Sequence, residues 1–225
     1  MPAAAALMMS LLAALPDPAP LEAAVRSDAG WEAVGDRAED GLGTVALRHK
    51  RQGEVDCLEG SVTVAPSPRA LLNVAADVPS ATRWSRFELV ASKVISRSGG
   101  RVKYVQLLDN PAPVADRYWF LEGRSSETEA ASVYAWRHID PAEHPDVLAE
   151  ILGLRPSAVS TGVNVGEWRF TPAGGKTALR YRLCTDAGGS IPKWAGEFAA
   201  TRTLPANIAD LVKEAAKREA KINAQ

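Results

Sequence analysis

The longest helical pattern in the sequence covers residues 191–222, and it limits what the rest of the chain can be. Lys and Glu collect on one side of this segment, and its apolar side chains fall near one face, as in an amphipathic helix. The apolar residues are Trp194, Phe198, Leu204, Ile208, Leu211, Val212 and Ala215. Pro205 is expected to kink or split the helix. The remaining chain must therefore supply a surface that covers one face of a long helix.

Strand-like runs, in which apolar and polar residues alternate, supply that surface. These runs cover residues 44–51, 55–64, 84–96, 101–108, 116–126, 128–139, 165–172 and 177–185. Because short turns join most of them, the sheet is expected to be largely antiparallel. We therefore predict an α+β fold in which a highly curved antiparallel β-sheet wraps around the long C-terminal helix.

Two shorter helices are predicted before and between these strands. The sequence LEAAVRS at residues 21–27 has a helical pattern, and residues 67–78 form the second helix. Ser67 is a suitable N-cap for that second helix, and Pro68 suits its first position. Residues 140–164 carry their own Pro and Gly, and we predict a loop there.

The N-terminus allows two interpretations. Residues 3–15 carry no charge, and the sequence PDPAP then ends the apolar run. Residues 1–19 are therefore either a signal peptide or an N-terminal helix packed on the domain, which we place at residues 20–225. The protein would be periplasmic if residues 1–16 are a signal, and cytoplasmic otherwise.

Composition and cysteine usage exclude several classes of site. The 225-residue chain has a formal net charge of −1 and no block of like charge, which argues against nucleic-acid binding. Cys57 and Cys184 lie in separate predicted strands, without C-x-x-C spacing or a Cys/His cluster. A zinc site has no support, and no metal or cofactor is expected. We expect two buried thiols, with a disulfide as the alternative.

Catalytic motifs are equally lacking. His49, His138 and His144 have no partner at metal or triad spacing, and no G-x-S-x-G, phosphate-binding or dinucleotide motif is present. We therefore predict that the protein is not an enzyme. An enzyme is the alternative, with His138 and Glu122 as its best acid/base candidates.

The aromatic residues are more informative about a binding site than the histidines are, because strand alternation places several aromatic residues on one face. Leu179, Tyr181 and Leu183 share a face of their strand, while Arg180 and Arg182 are expected to point away from the interior. The candidate ligand-binding residues are Tyr104, Trp119, Ser132, Tyr134, Trp136, Trp168, Phe170, Tyr181, Trp194 and Phe198. Such a set fits a packed core or an apolar cavity with a few orienting hydroxyls, and the sequence alone does not separate the two.

Four stretches in register resemble the START lipid-transfer domains, which have the Bet v 1-like helix-grip fold. They are DVPSATRW (77–84), NPAPVADRYWF (110–120), VGEWRFTP (165–172) and GGSIPKW (188–194), and the likeness covers about residues 21–220. The resemblance implies a U-shaped sheet that grips the last helix, with one lipid held in the tunnel between them.

The resemblance also implies a gate to that tunnel. The loop from Asp109 to Ala115 would form one side of the gate, and the helix after Pro192 would form the other. The gate residues are Asp109, Asn110, Pro111, Pro113 and Pro192. Cholesterol-carrying members use a carboxylate–arginine pair, but the matching positions here are Tyr104 and Gly123, so that pair is not carried over.

We therefore predict a bacterial-type, monomeric carrier that binds a single lipid, a sterol or other hydrophobic lipid, and contacts membranes transiently. The resemblance also allows an enzyme of the same superfamily, of the cyclase or hydrolase type. A lipid sensor whose closed gate binds a partner protein is a further alternative. If Trp194 and Phe198 line the cavity, replacing both with Ala should abolish lipid uptake.

Overall fold

The computed structural model describes residues 15–112, 114–186 and 193–224, and residues 193–200 by their backbone alone. Its strands are β1 (Glu32–Glu39), β2 (Gly43–Gln52), β3 (Val55–Val64), β4 (Leu89–Ser98), β5 (Arg101–Leu108), β6 (Arg117–Glu127), β7 (Ser132–His138), β8 (Val159–Ser160), β9 (Val163–Ala173) and β10 (Lys176–Asp186). The helices are α1 (Ala19–Arg26), α2 (Pro68–Ala76), α3 (Ala81–Trp84), α4 (Pro145–Leu154) and α5 (Lys193–Asn223), with 3₁₀ turns at Val78–Ser80 and Pro141–Glu143.

The described strands form a sheet of ten, in the order β1-β2-β3-β10-β9-β7-β6-β5-β4, with the short β8 beside β6. All neighbours are antiparallel except β8 and β6. The long helix α5 packs against the sheet and against α2. The predicted α+β fold, a curved antiparallel sheet with a long C-terminal helix, is confirmed.

Helices α2 and α5 are joined at both ends of α2. Ser67 is the N-cap of α2, as predicted, because its Oγ accepts a hydrogen bond from the Ala70 N–H at 3.3 Å. The same hydroxyl donates to the Glu219 carboxylate of α5 at 2.5 Å. At the other end, Arg218 of α5 donates to Asp77 at 2.8 Å. The two helices therefore cover the concave face of the sheet as one unit.

Gly60 allows α5 to approach the sheet closely. A Cβ atom at this position of β3 would collide with the side chains of Leu204 and Ile208, both of which are buried. The absence of a side chain is therefore what admits the helix, and α5 fills the space above β3 with its own apolar residues.

The convex face of the sheet carries two further apolar clusters, one under α1 and one under α4. The first contains Leu21, Val25, Trp31, Cys57, Val163, Val165 and Cys184. The second contains Val105, Leu107, Tyr118, Phe120 and Ile151. The prediction of a loop over residues 140–164 is wrong, because Val147, Leu148, Ile151 and Leu152 give α4 an apolar side that packs on this face.

Two strand predictions are also corrected. Strand β1 was not predicted because its side chains are almost all exposed, so it has no apolar alternation and is held by backbone pairing with β2. The predicted strand at residues 84–96 begins only at Leu89, since Trp84 ends helix α3 and donates to the Ser80 hydroxyl at 3.0 Å.

The two cysteines form a disulfide, so the expectation of two free thiols is wrong. Cys57 of β3 and Cys184 of β10 are directly paired across neighbouring strands, with their Cα atoms 4.0 Å apart. Both lie on the convex face under α1. The bond links two strands that are 127 residues apart in the chain.

Arg182 points away from the concave face, as predicted, but it is buried. Its side chain faces the convex side of β10, but α1 covers it, and only 1% of the side chain is exposed. The guanidinium donates to the Glu59 carboxylate at 2.6 Å and to the carbonyl oxygens of Val25 and Ser27 at the end of α1. It also lies over the Trp31 ring, 4.7 Å from the ring centre. Arg182 therefore fastens α1 to the sheet.

Among the described helices, none combines the length and the apolar character needed to cross a membrane.

Candidate functional site

The concave face brings together eight of the predicted ligand-binding residues. Strand register and packing place Tyr104, Trp119, Ser132, Tyr134, Trp136, Trp168, Phe170 and Tyr181 on this face. The side chains of Trp194 and Phe198, together with Pro113 and Pro192, lie outside the described residues. The described members therefore share one face of the sheet, and their role in ligand binding stays a prediction.

Five of these rings form a continuous row across β7, β9 and β10. Trp168 and Tyr181 stack with their centroids 3.8 Å apart and their planes 7° from parallel. Trp136 lies 6.0 Å from Tyr181, and Tyr134 lies 6.1 Å from Trp136. Phe170 continues the row 6.3 Å beyond Trp168. The row gives the concave face an aromatic wall beneath α2 and α5.

Trp136 is held in one orientation by two residues that sequence reasoning missed. Its indole Nε1 donates to Asn164 Oδ1 at 2.8 Å in a buried hydrogen bond. Gly166, directly opposite Trp136 in β9, leaves room for the ring, because a Cβ there would collide with the indole and with the Arg182 carbonyl oxygen. The G-x-W spacing in the sequence was the available signal for this glycine.

We expect Gly166→Ala to lower the free energy of unfolding by about 2–3 kcal/mol, since overpacking a fitted ring costs this much. Gly162→Ala is the matched control, because nothing lies within 4 Å of a Cβ at that position. Urea unfolding followed by circular dichroism measures both. Equal stability of the two variants would show that the ring has freedom to move.

Trp119 is oriented by a chain of side-chain hydrogen bonds. Its Nε1 donates to Gln106 Oε1 at 2.9 Å, and the Gln106 amide donates to the Ser92 hydroxyl at 2.9 Å. Ser92 in turn donates to the Val78 carbonyl oxygen at 2.7 Å. This chain ties β4, β5 and β6 together on the concave face with a fixed set of polar groups.

The three tyrosines on this face stay protonated at neutral pH. Burial raises the pKa of Tyr134 to about 12. Burial also raises the pKa of Tyr104 and of Tyr181. Each phenol is therefore a neutral hydroxyl that can donate a hydrogen bond to an acceptor.

A cavity of about 380 Å³ opens at one end of this face. It lies between the β4–β5 turn and the end of α2, and Val102, Gly123, Ser125 and Tyr134 contribute to its wall. This volume falls in the range of small-molecule sites, roughly 300–1,000 Å³.

The described part of the predicted gate loop lies at the other end of β5 and is closed by hydrogen bonds. Asn110 donates from its backbone to the Asp116 carboxylate and from its side chain to the Ala115 carbonyl oxygen, both at 3.0 Å. Arg155, just after α4, contacts Asp109 at 3.3 Å and Asp116 at 3.0 Å. Pro111 is exposed in this loop. These contacts therefore hold the two ends of the loop together, and Arg155 contacts both ends.

The candidate acid/base pair of the enzyme alternative is not assembled. His138 is buried on the concave face, where its Nε2–H donates to the Pro16 carbonyl oxygen at 2.8 Å and its Nδ1 accepts from the Asn164 N–H at 3.5 Å. Glu122 lies on the convex face. Partial burial acts to raise the pKa of Glu122, but hydrogen bonds from Arg101 and Arg137 lower it. The two groups are therefore separated by the sheet.

Metal binding finds no support in the part of the chain that the structure describes, where no three His, Cys, Asp or Glu side chains come together as ligands.

Known structures share this architecture. Human STARD10 superposes with a TM-score of 0.73 at 14% sequence identity, over 94% of this chain and 84% of the other. A STAR-related lipid transfer protein of Xanthomonas axonopodis superposes with a TM-score of 0.64 at 18% identity, over 83% of this chain and 99% of the other. The chain has the START fold. The resemblance seen in the four sequence stretches is thereby confirmed at the level of the fold.

The START fold also occurs among enzymes. The Zhui aromatase/cyclase of a Streptomyces species superposes with a TM-score of 0.52 at 18% identity, over 73% of this chain and 96% of the other.

An uncharacterized protein of Pseudomonas aeruginosa is 25% identical over 165 residues, which is 73% of this chain and 76% of the relative. No family model matches the sequence.

Proposed function

We propose that the protein is a carrier that binds one lipid molecule against the concave face of its sheet and transfers it between membranes. The observation that carries this proposal is the aromatic wall beneath α2 and α5, set in the fold of lipid-transfer domains. A sterol or another hydrophobic lipid would gain about 25 cal/mol for each Å² of apolar surface that it buries there. The protein would act as a monomer and touch membranes only transiently.

No covalent step is part of this proposal. His138 already uses both ring nitrogens in hydrogen bonds to the backbone, so it lacks a free nitrogen that could accept a substrate proton. Glu122 is on the opposite face of the sheet and is held ionised by two arginines. These contacts favour a binding function over the cyclase or hydrolase alternative.

Native mass spectrometry of the protein purified from its own organism tests the proposal. We expect one bound lipid per chain, which extraction and lipid analysis would identify. An empty protein that also refuses a panel of sterols, fatty acids and phospholipids would contradict the carrier function and favour an enzyme with a small polar substrate.

We expect the double variant Trp194→Ala/Phe198→Ala to lose lipid binding while remaining folded, if both rings line the site. Ile222→Ala on the same helix is the matched control, because this apolar residue is exposed and lies far along α5. Lipid binding is measured by native mass spectrometry after incubation with vesicles. Unchanged binding by a folded double variant would exclude these two residues from the site.

A further inference from the structure

The cavity near the β4–β5 turn holds a buried hydroxyl without a partner. The Tyr134 hydroxyl is buried, yet it makes no hydrogen bond within the part of the chain that the structure describes. It sits against Gly123 of β6, where a Cβ would collide with it. A buried donor left unpaired is destabilising, so this hydroxyl is suited to a ligand that brings an acceptor.

Tyr104 does not satisfy this hydroxyl. The two phenols lie near enough for each to influence the pKa of the other, but no hydrogen bond of normal geometry joins them. Tyr104 lies on β5 and Tyr134 on β7, with β6 between them, and Gly123 is the position on β6 that leaves the space open. Two neutral donors therefore face the same region.

Arg97 adds a positive charge to the same cavity. Strand β4 has an irregularity between Val94 and Ser96, and this places Arg97 opposite Val102 and on the concave side. Arg97 lines the cavity with Tyr134 and is close enough to that hydroxyl to act on its pKa. Its guanidinium makes no hydrogen bond or ion pair within the part of the chain that the structure describes.

The charged side chains around the cavity are of one sign. None of the described residues that line it is acidic, whereas Arg97 and Arg101 both contribute to its wall. Arg101 is already paired with Glu122 at 2.6 Å on the convex face. The next acidic residue along the concave side of β6 is Glu127, which lies 4.0 Å from Arg69. Arg97 is therefore the cation that remains for a ligand.

We propose that this cavity receives an anionic head group of the bound lipid, which pairs with Arg97 and accepts a hydrogen bond from the Tyr134 hydroxyl. This inference rests on the proposed carrier function and names the class of lipid. A carboxylate and a phosphate share the required chemistry, since both present charged oxygen acceptors. The lipid tail would then extend along the concave face, from the cavity towards the other end of β5.

The length of β5 supports this placement. Its eight residues separate the cavity from the gate loop by roughly 24 Å, at about 3.4 Å per residue. One leaflet of a bilayer has a hydrocarbon depth of about 15 Å, so an acyl chain fits within this length. A head group at the cavity thus leaves the tail pointing towards the loop that we predict to open.

Two fluorescent probes with the same tail test the head-group preference. cis-Parinaric acid carries a carboxylate, and its methyl ester does not, so the ratio of their dissociation constants reports the charge recognition. We expect the full-length protein to bind the acid at least tenfold more tightly than the ester. Displacement of the acid by oleate and by oleoyl lysophosphatidic acid then distinguishes a carboxylate site from a phosphate site.

Variants identify the residues. Arg97→Gln should remove the tenfold preference for the acid and leave ester binding unchanged, while Arg124→Gln, an exposed arginine on the convex face, should keep it. Tyr134→Phe should weaken acid binding about fivefold without lowering the melting temperature, because the hydroxyl has no partner to lose. A loss of binding through misfolding would instead lower the melting temperature.

The outcomes separate the two proposals. If neither probe binds, and no lipid of the panel binds, the carrier function itself fails. If both probes bind equally and Arg97→Gln changes neither, lipid binding stands and the anionic head-group site is wrong.

Discussion

Glu59→Ala should lower the free energy of unfolding by about 3–5 kcal/mol, because it leaves the buried Arg182 without its counter-ion. The side chains of Glu59 and Arg182 are 4% and 1% exposed, and their charged atoms are 2.6 Å apart. Asp28 also contacts Arg182, but its side chain is 75% exposed, so water screens that pair. The measurement is urea unfolding followed by circular dichroism at neutral pH.

Glu150→Ala is the matched control, because it breaks an ion pair of the same length that is exposed. Its ion pair with Lys93 has the same 2.6 Å separation, but the two side chains are 50% and 51% exposed. We expect this control to change stability by less than about 1 kcal/mol. Similar losses in the two variants would show that burial does not determine the strength of the Glu59 pair.

Replacing both members of the buried pair separates the charge from the packing. Glu59→Leu/Arg182→Met removes both charges and keeps apolar volume under α1, so it should be less destabilised than Glu59→Ala. Part of the loss should remain, because Arg182 also donates to the carbonyl oxygens of Val25 and Ser27. A double variant that is worse than the single one would assign the stability to those carbonyl contacts.

Removal of the disulfide should cost about 4–5 kcal/mol, since the bond closes a long loop in the unfolded chain. The expected result is a lower urea midpoint for Cys57→Ala/Cys184→Ala than for the oxidised protein, whose cysteines are 127 residues apart. The chain-entropy argument gives this size because the cost of closing a loop grows with its length.

Reductant provides the internal control for that experiment. Dithiothreitol should lower the midpoint of the unaltered protein to that of the double variant, and it should leave the double variant unchanged. A thiol assay should find no free cysteine in the oxidised, denatured protein, because the chain has only these two cysteines. Two reactive thiols, or a midpoint insensitive to dithiothreitol, would contradict the pairing.

Much of the concave face could be predicted from the sequence because it depends on local alternation. Tyr181 and Trp168 occupy facing positions in regular strands, and nothing interrupts their period of two. The same logic predicted the inward direction of Tyr134 and Trp136. Their role in binding stays a prediction.

The rest depends on distant parts of the chain or on irregular backbone. Arg182 alternates with apolar neighbours like a solvent-facing residue, and only the docking of α1 buries it. Arg97 reaches the concave side because a strand irregularity reverses its facing, and a one-residue shift of this kind is not visible in composition. Predicting the disulfide would have required the order of the strands in the sheet, which the sequence alone did not provide.

The pairing of β3 with β10 also determines when β3 gains its second partner strand during synthesis. Strand β3 is complete long before its partner, since Cys57 precedes Cys184 by 127 residues. At about 5–20 residues per second, the ribosome needs roughly 6–25 s to make the intervening chain. During that time the edge of β3 that will meet β10 has no partner strand, and such open edges promote aggregation. Slower translation lengthens this interval. We therefore expect slower translation to increase misassembly of this protein more than misassembly of proteins whose strands pair mainly with sequence neighbours.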